Sequence, residues 1–314
     1  MSTTSSNSAS TLGPTAVART PPAGAADLTP PPSTPHELPD KPLVTIQPRR
    51  PWSTAELHDL WAYRELLYFL IWRDLKVRYK QAFLGVAWVL LQPLMMTLVF
   101  TVFLGMLVRV PSEGVPYTLF VYAGLLLWTF FSSAVTGGGN SLVVNAHLIT
   151  KVYFPRVMIP AAAVAARLVD FAVSFLIVAG MLVYYRVPPT WNTLMLPPLI
   201  VLAALLALGC ATLLSALNVK YRDVSIVLPV LIQLWMYVSP VLYPPRLVTD
   251  ALGHWGWVYA LNPLVGVVDG FRAALFGGTF DLFALSVSAA FTLALLAYAT
   301  YTFRRVERSV ADVI

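Results

Sequence analysis

The chain has 314 residues, of which 58% are hydrophobic and 11% charged. A soluble domain carries about 25% charged residues. With a mean hydropathy of +0.71, the composition excludes a water-soluble globular protein and points to an all-α integral membrane protein. The net charge of +6 gathers beside the apolar runs, where it sets orientation rather than marking a nucleic-acid partner.

From the N-terminus, residues 1–51 are rich in Ser, Thr, Ala and Pro and hold no apolar stretch. They bury too little surface to offset chain entropy and are expected to form a disordered cytoplasmic tail. Without an apolar region of about 7 to 15 residues near the start, no cleaved signal peptide is expected. Residues 52–82 read as an amphipathic interfacial helix and a basic juxtamembrane segment. Ser53 and Glu56 have capping-box spacing. Leu57, Leu60, Trp61, Leu67, Leu70 and Ile71 then recur near helical spacing among His58, Asp59, Arg64 and Glu65. Arg73, Lys76, Arg78 and Lys80 follow, with Asp74 and Arg78 spaced i,i+4 for an ion pair.

Residues 83–314 are expected to form a domain of six transmembrane helices, since an apolar run of roughly 18 residues or more crosses a bilayer core of about 30 Å. The runs are Gly85 to Leu107, Tyr117 to Val135, Val157 to Tyr184, Leu194 to Leu217, Val224 to Leu242 and Leu282 to Phe303. Pro93 in the first, and Pro229 and Pro240 in the fifth, are expected to kink their helices. Gly137, Gly138 and Gly139 after the second read either as a hinge or as a helix terminator. Cys210 lies within an apolar run and has no second cysteine to pair with. One side collects Arg64, Arg73, Lys76, Arg78, Lys80, Lys151, Arg156, Lys220, Arg222, Arg304, Arg305 and Arg308, and the other only Arg109, Arg186, Arg246 and Arg272. This bias puts both termini in the cytoplasm.

Arg167 and Asp170 stand well inside the third run, three apart on one helical face. An unpaired ion near a helix centre costs about 2.5 to 3.5 kcal/mol on insertion scales, so the two must pair, either to hold helices together or to serve a function. Between the fifth and sixth runs, Asn262 and Pro263 give a cap and a first helical residue. Leu264, Val267, Val268, Phe271 and Leu275 follow at helical spacing, as in a plain amphipathic surface helix. On the first run Trp88 and Gln92 share a face, as do Phe120, Trp128 and Phe131 on the second. Aromatic rings stack on the C–H faces of sugars, so these faces are candidates for a substrate channel; packing and lipid contact are the ordinary alternatives.

No Gly precedes a Lys, so the phosphate-cradling Walker loop is absent. The four histidines are dispersed and form no zinc-binding pair, no metal site is expected, and the absence of a D-x-D pair weakens a metal-dependent glycan transferase.

The stretches Leu60 to Leu67, Arg73 to Gln81, Leu84-Gly85 and Leu91 to Pro93 resemble the start of type-2 ABC exporter permeases. Leu148 to Arg156, Asn218 to Asp223, Ser239 to Pro244 and Leu261 to Pro263 resemble that family's polysaccharide branch, which exports O-antigen, capsule or teichoic acid. The resemblance covers roughly Ser53 to Arg308. It implies a homodimer of six-span subunits in the bacterial inner membrane, served by two copies of a separate ATP-binding ABC subunit that carries ATP and Mg, with no cofactor in this chain. The cargo would be a polysaccharide on an undecaprenyl-phosphate lipid, moved through a channel between the permeases. Asn145, Leu148, Ile149, Lys151, Phe154, Pro155 and Arg156 map to a coupling helix docked on the ATPase; the same segment also reads as an ordinary positive-inside loop. Asn145 or Asn140 could cap that helix. Asn262, Pro263, Phe271 and Arg272 map to short periplasmic re-entrant helices that gate the channel. Arg73, Lys76, Arg78 and Lys80 would meet the lipid pyrophosphate at the cytoplasmic face. An exporter of a drug or lipid, a membrane-embedded lipid-linked glycan transferase and an ATP-independent channel are the competing readings.

Overall fold

The computed structural model describes residues 63–80, 87–151, 154–221 and 223–313, all within the unit Ser53–Ile314. The expected tail and capping box lie outside the described residues. Among the described residues there is no strand. Helix α1 is Arg64–Lys80, and α2, Ala87–Phe100, continues into π-helical Thr101–Leu107. Then come α3 (Tyr117–Val144), α4 (Ala146–Lys151), α5 (Met158–Tyr184), a 3-10 turn Trp191–Met195, α6 (Leu196–Lys220) and α7 (Val224–Val238). Helix α8 (Pro245–Leu252), a 3-10 turn Gly253–Trp255, α9 (Gly256–Tyr259), α10 (Pro263–Phe276) and α11 (Leu282–Val313) complete the order.

Five of these segments are long and apolar enough to cross a membrane: Ala87–Leu107, Tyr117–Val144, Met158–Tyr184, Trp191–Lys220 and Leu282–Val306. They correspond to the first, second, third, fourth and sixth expected crossings. The expected fifth crossing differs. Helix α7 has 15 residues, about 22 Å at ~1.5 Å per residue, which is short of the hydrocarbon core. Pro229 lies within it, but Pro240 does not kink it, because the helix has already ended. A proline drives the preceding residue out of helical geometry, and Ser239 is extended, with φ −101 and ψ 150.

Helix α3 is the centre of the bundle, with 78% of its most apolar stretch buried, against 11% for the stretch that contains α2. It packs chiefly against α5 and α6. The Gly137–Gly139 run does not end it, since the helix continues to Val144. A Cβ on Gly138 would collide with that of Ala211, so the missing side chain there lets α3 and α6 approach closely. Helix α1 lies on α5, with Leu70 buried and Leu66, Leu67 and Ile71 partly buried in the contact. Its other side exposes Tyr68, Phe69 and Trp72.

Candidate functional site

Helices α2, α3 and α5 border a cleft of about 430 Å³ whose wall mixes polar and apolar side chains although its helices are apolar. On α3 the cause is sequence spacing. Thr129, Ser132, Ser133, Thr136 and Asn140 recur at i, i+3, i+4, i+7 and i+11, which is one helical face, and all line the cleft. They are the part-exposed stripe of an otherwise buried helix. The α5 wall carries Arg167, Asp170, Phe171 and Ser174, and α2 adds Val89, Gln92 and Pro93. The hydroxyls of Ser132, Ser133 and Thr136 donate to carbonyls of their own helix at 3.3, 3.1 and 2.8 Å. They therefore present lone pairs to the cleft.

Asp170 organises the charge in this cleft. Its carboxylate accepts from Arg78 on one oxygen and from the Tyr79 hydroxyl on the other. Arg167 reaches it at 3.5 Å. The expected Arg167–Asp170 pairing thus exists within a larger cluster that ties α1 to α5. The expected Asp74–Arg78 ion pair does not form. Asp74 instead pairs with Arg73 at 2.8 Å, and Arg78 turns to the more secluded carboxylate, where water competes less for it. The basic stretch is consequently split: Arg73 and Arg78 are engaged by carboxylates, while Lys76 and Lys80 are exposed.

The expected channel face divides in the same way. Trp88 and Gln92 are exposed on α2, and Gln92 lines the cleft. Phe120 and Phe131 have no exposed surface and Trp128 is 7% exposed. Trp128 lies 5.9 Å from Phe131, which meets Trp235 edge-on at 5.2 Å. These three rings belong to the core of the chain and are not presented at its surface. The face of α3 that borders open space is the hydroxyl stripe, about two-fifths of a turn away at ~3.6 residues per turn.

In the segment matched to a coupling helix, Ala146–Lys151 is a six-residue helix. Asn145 does not cap its start with its side chain. Its amide donates to the Ser141 carbonyl at 2.8 Å and closes the end of α3, while its own carbonyl receives the amides of Leu148 and Ile149. Asn140 does not cap it either, since it lies within α3 and bonds Asn218 at 2.9 Å. Phe154 is 5% exposed and packs with Leu70, Leu142, Met158 and Phe303. Leu148 and Ile149 lie partly buried on the same cluster, and Pro155 and Arg156 are half-buried. The outward surface is Val143, Val144, His147 and Lys151. Phe154 is thus an internal anchor of the segment rather than an outward contact.

At the opposite end, the chain after α7 runs without helical bonds through buried Ser239 to Leu242. Apolar surroundings make unpaired carbonyls expensive, and each is met. Arg272 donates to the carbonyls of Pro240 and Val241, and through Nε to that of Phe120 at 3.3 Å. Tyr117 donates to Leu242 at 2.9 Å. The Asn262 amide donates to Val238 at 3.4 Å and to the Ser239 hydroxyl at 3.0 Å. Its oxygen accepts from the Leu264 amide and the Trp235 indole, both at 3.1 Å, so the expected N-cap is present and does more than cap. The Arg272 guanidinium also lies 3.6 Å over the Phe120 ring. A Cβ on Gly124 would collide with that guanidinium and with the Val241 carbonyl, which is why glycine occupies that position. Phe271 is fully buried near Phe171 and Phe175. Helix α10 is therefore an internal element and not the plain surface helix its spacing allowed. On its half-buried flank, burial and, secondarily, Glu113 push the Asp269 carboxyl up to about 6.

Among the described residues, no group of three His, Cys, Asp or Glu side chains is placed to hold a metal. The polar stripe on α3 and the carbonyl clamp by Arg272 are the two features that sequence reasoning missed; the i, i+3, i+4 recurrence of small polar residues was the available signal for the first.

Residues 65–276 match the family model described as ABC-2 type transporter. The O-antigen export system permease protein RfbA of Myxococcus xanthus is 32% identical over 220 residues, which cover 70% of this chain and 84% of that protein. A protein of the same name from Klebsiella pneumoniae is 28% identical over 224 residues, 71% of this chain and 85% of its own. The polysialic acid transport protein KpsM of Escherichia coli is 25% identical over 230 residues, 72% of this chain and 88% of its own. The matched stretch runs from α1 to the end of α10 and so contains the cleft, the segment around α4 and the Arg272 clamp: the chain is a multi-pass membrane protein that belongs to the ABC-2 type transporter family.

Proposed function

We propose that this chain is the permease subunit of an ATP-driven exporter that moves a lipid-linked polysaccharide of the O-antigen or capsule type outward across the bacterial inner membrane. The observation that carries the reading is the 32% identity to an O-antigen export permease across 70% of the chain, together with the absence of any Walker loop in this sequence. ATP and Mg belong to a separate ABC subunit, present in two copies, and the permease pairs with a second copy of itself. Six crossings complete the topology. Helix α7 and the clamped turn 239–243 supply the fifth, and α8 to α10 dip back from the periplasmic side as a gate whose base is held by Asn262 and Arg272. Both termini are cytoplasmic, so the outward residues of the α4 segment face the ATPase.

The packing around Phe154 supports a mechanical step. ATP-driven closure of the partner pushes on the α4 segment; Phe154 carries that force into the cluster shared with α1, α5 and α6. Copurification tests the assembly. Tagged permease from native membranes should bring down a Walker-motif ATPase, and the complex should hydrolyse ATP. Recovery of the permease without any ATPase, from membranes that still export, would reject the reading.

A further inference from the structure

We propose that the cleft between α2, α3 and α5 binds the phosphate group of a lipid-linked ligand, with Arg167 as its cation and the amides of Gln92 and Asn140 as its neutral donors. The inference rests on the export reading and assigns a task to one site within it.

Charge comes first. Arg78 and Arg167 stand beside the single carboxylate Asp170, so the cluster keeps one net positive charge in a setting poor in water. Asp170 is already bonded by Arg78 and Tyr79, and Arg167 holds it only at 3.5 Å. The Arg167 guanidinium borders Gly137, where even a Cβ would lie 3.7 Å from its Nε and Nη2. Its planar fork matches phosphate oxygens.

Donor supply agrees. Asn140 accepts from Asn218 through Oδ1 at 2.9 Å, which leaves its Nδ2 to donate. Gln92 is exposed at the rim. Three donors thus come from three helices around one space. The α3 hydroxyls have spent their protons on their own helix, so they suit the hydroxyls of a sugar attached to the phosphate. The volume of about 430 Å³ lies toward the small end of ligand pockets, about 300 to 1,000 Å³, and holds a head group rather than a polymer. Beyond the Gln92 rim, α2 exposes Met95, Met96, Leu98 and Val99, an apolar track for a hydrocarbon tail.

The test uses the full chain in phosphatidylcholine nanodiscs with radiolabelled undecaprenyl diphosphate as the probe. Wild type should bind it. Undecaprenol, inorganic pyrophosphate and phosphatidylglycerol should each compete at least about tenfold more weakly, and Arg167→Gln should weaken binding about tenfold, as expected for loss of a charged donor. Arg167→Lys should restore part of the affinity, and Gln92→Leu, at an exposed position, should weaken it a few-fold. Equal competition by undecaprenol would remove the phosphate from the account. Equal competition by pyrophosphate would remove the lipid tail, and by phosphatidylglycerol would reduce the cleft to a general lipid site. Wild-type affinity in an Arg167→Gln protein that melts at the wild-type temperature would overturn the proposal, as would, if that variant fails to fold, unchanged affinity in Gln92→Leu. No ATPase is present in this assay, so its failure beside an intact ATPase complex would reject the phosphate site and leave the permease reading in place.

Discussion

Arg272 was counted among the few cations of the less basic side, yet it is 2% exposed and bonded to three carbonyls. Replacing it with Met keeps the volume and orphans at least the buried carbonyls of Pro240 and Val241, at about 1 to 3 kcal/mol each. Arg272→Met should therefore lower the melting temperature of the detergent-solubilised permease and expose the 239–243 turn to proteolysis; an unchanged cleavage pattern would show that the clamp is dispensable. Asp269 titrates in the accessible range. Its folded pKa of about 6 lies above the ordinary 3.8, so the folded state binds the proton more tightly. The stability it contributes is present at low pH and is lost as pH rises from about 4 to about 6. Melting curves should show a higher midpoint at about pH 5 than at about pH 7 from this group, and Asp269→Asn should flatten the difference; a slope unchanged by Asp269→Asn would assign it elsewhere. Neither residue could be placed from sequence, because their partners are carbonyls and side chains brought together only by the tertiary fold. Arg78 illustrates the same limit: spacing offered Asp74, and a carboxylate on α5 won.

At the level of elements, hydropathy located the long helices because a bilayer imposes their length on the sequence. It misjudged α7, where the residue before a proline leaves the helix and the polar debt is met by side chains from α3 and α10. It also misjudged the aromatic face of α3. Periodicity says which residues share a face, not whether that face meets a neighbour or open space, and here Trp235 of α7 and Arg272 of α10 pack on the aromatics and leave the hydroxyls at the cleft. The α4 segment separates anchor from surface in a way that can be measured. Phe154→Ala removes a buried ring and should cost about 3 to 5 kcal/mol, reducing folded permease in the membrane. Lys151→Ala combined with Val144→Ser alters only outward side chains, so permease abundance should hold while the amount of copurified ATPase falls. Undiminished ATPase recovery with the double variant would move the docking surface elsewhere.

For the whole molecule, the positive-inside bias predicts an orientation with both termini cytoplasmic, and that orientation is open to a direct check. Single cysteines at His147 and Glu113, in a Cys210→Ser background, can be probed in intact spheroplasts with an impermeant maleimide. Position 113 should label and position 147 should not; the reverse pattern would invert the topology and detach the α4 segment from the ATPase. The central claim is that this chain exports a polysaccharide made by other proteins. Its most direct test is to deplete the permease and stain the lipid-linked polysaccharide with a specific lectin or antibody, before and after permeabilising the cells. The account predicts that surface signal disappears while signal inside permeabilised cells persists or accumulates. Loss of the polymer from both compartments would identify a step in synthesis, and an undiminished surface signal would contradict export by this chain.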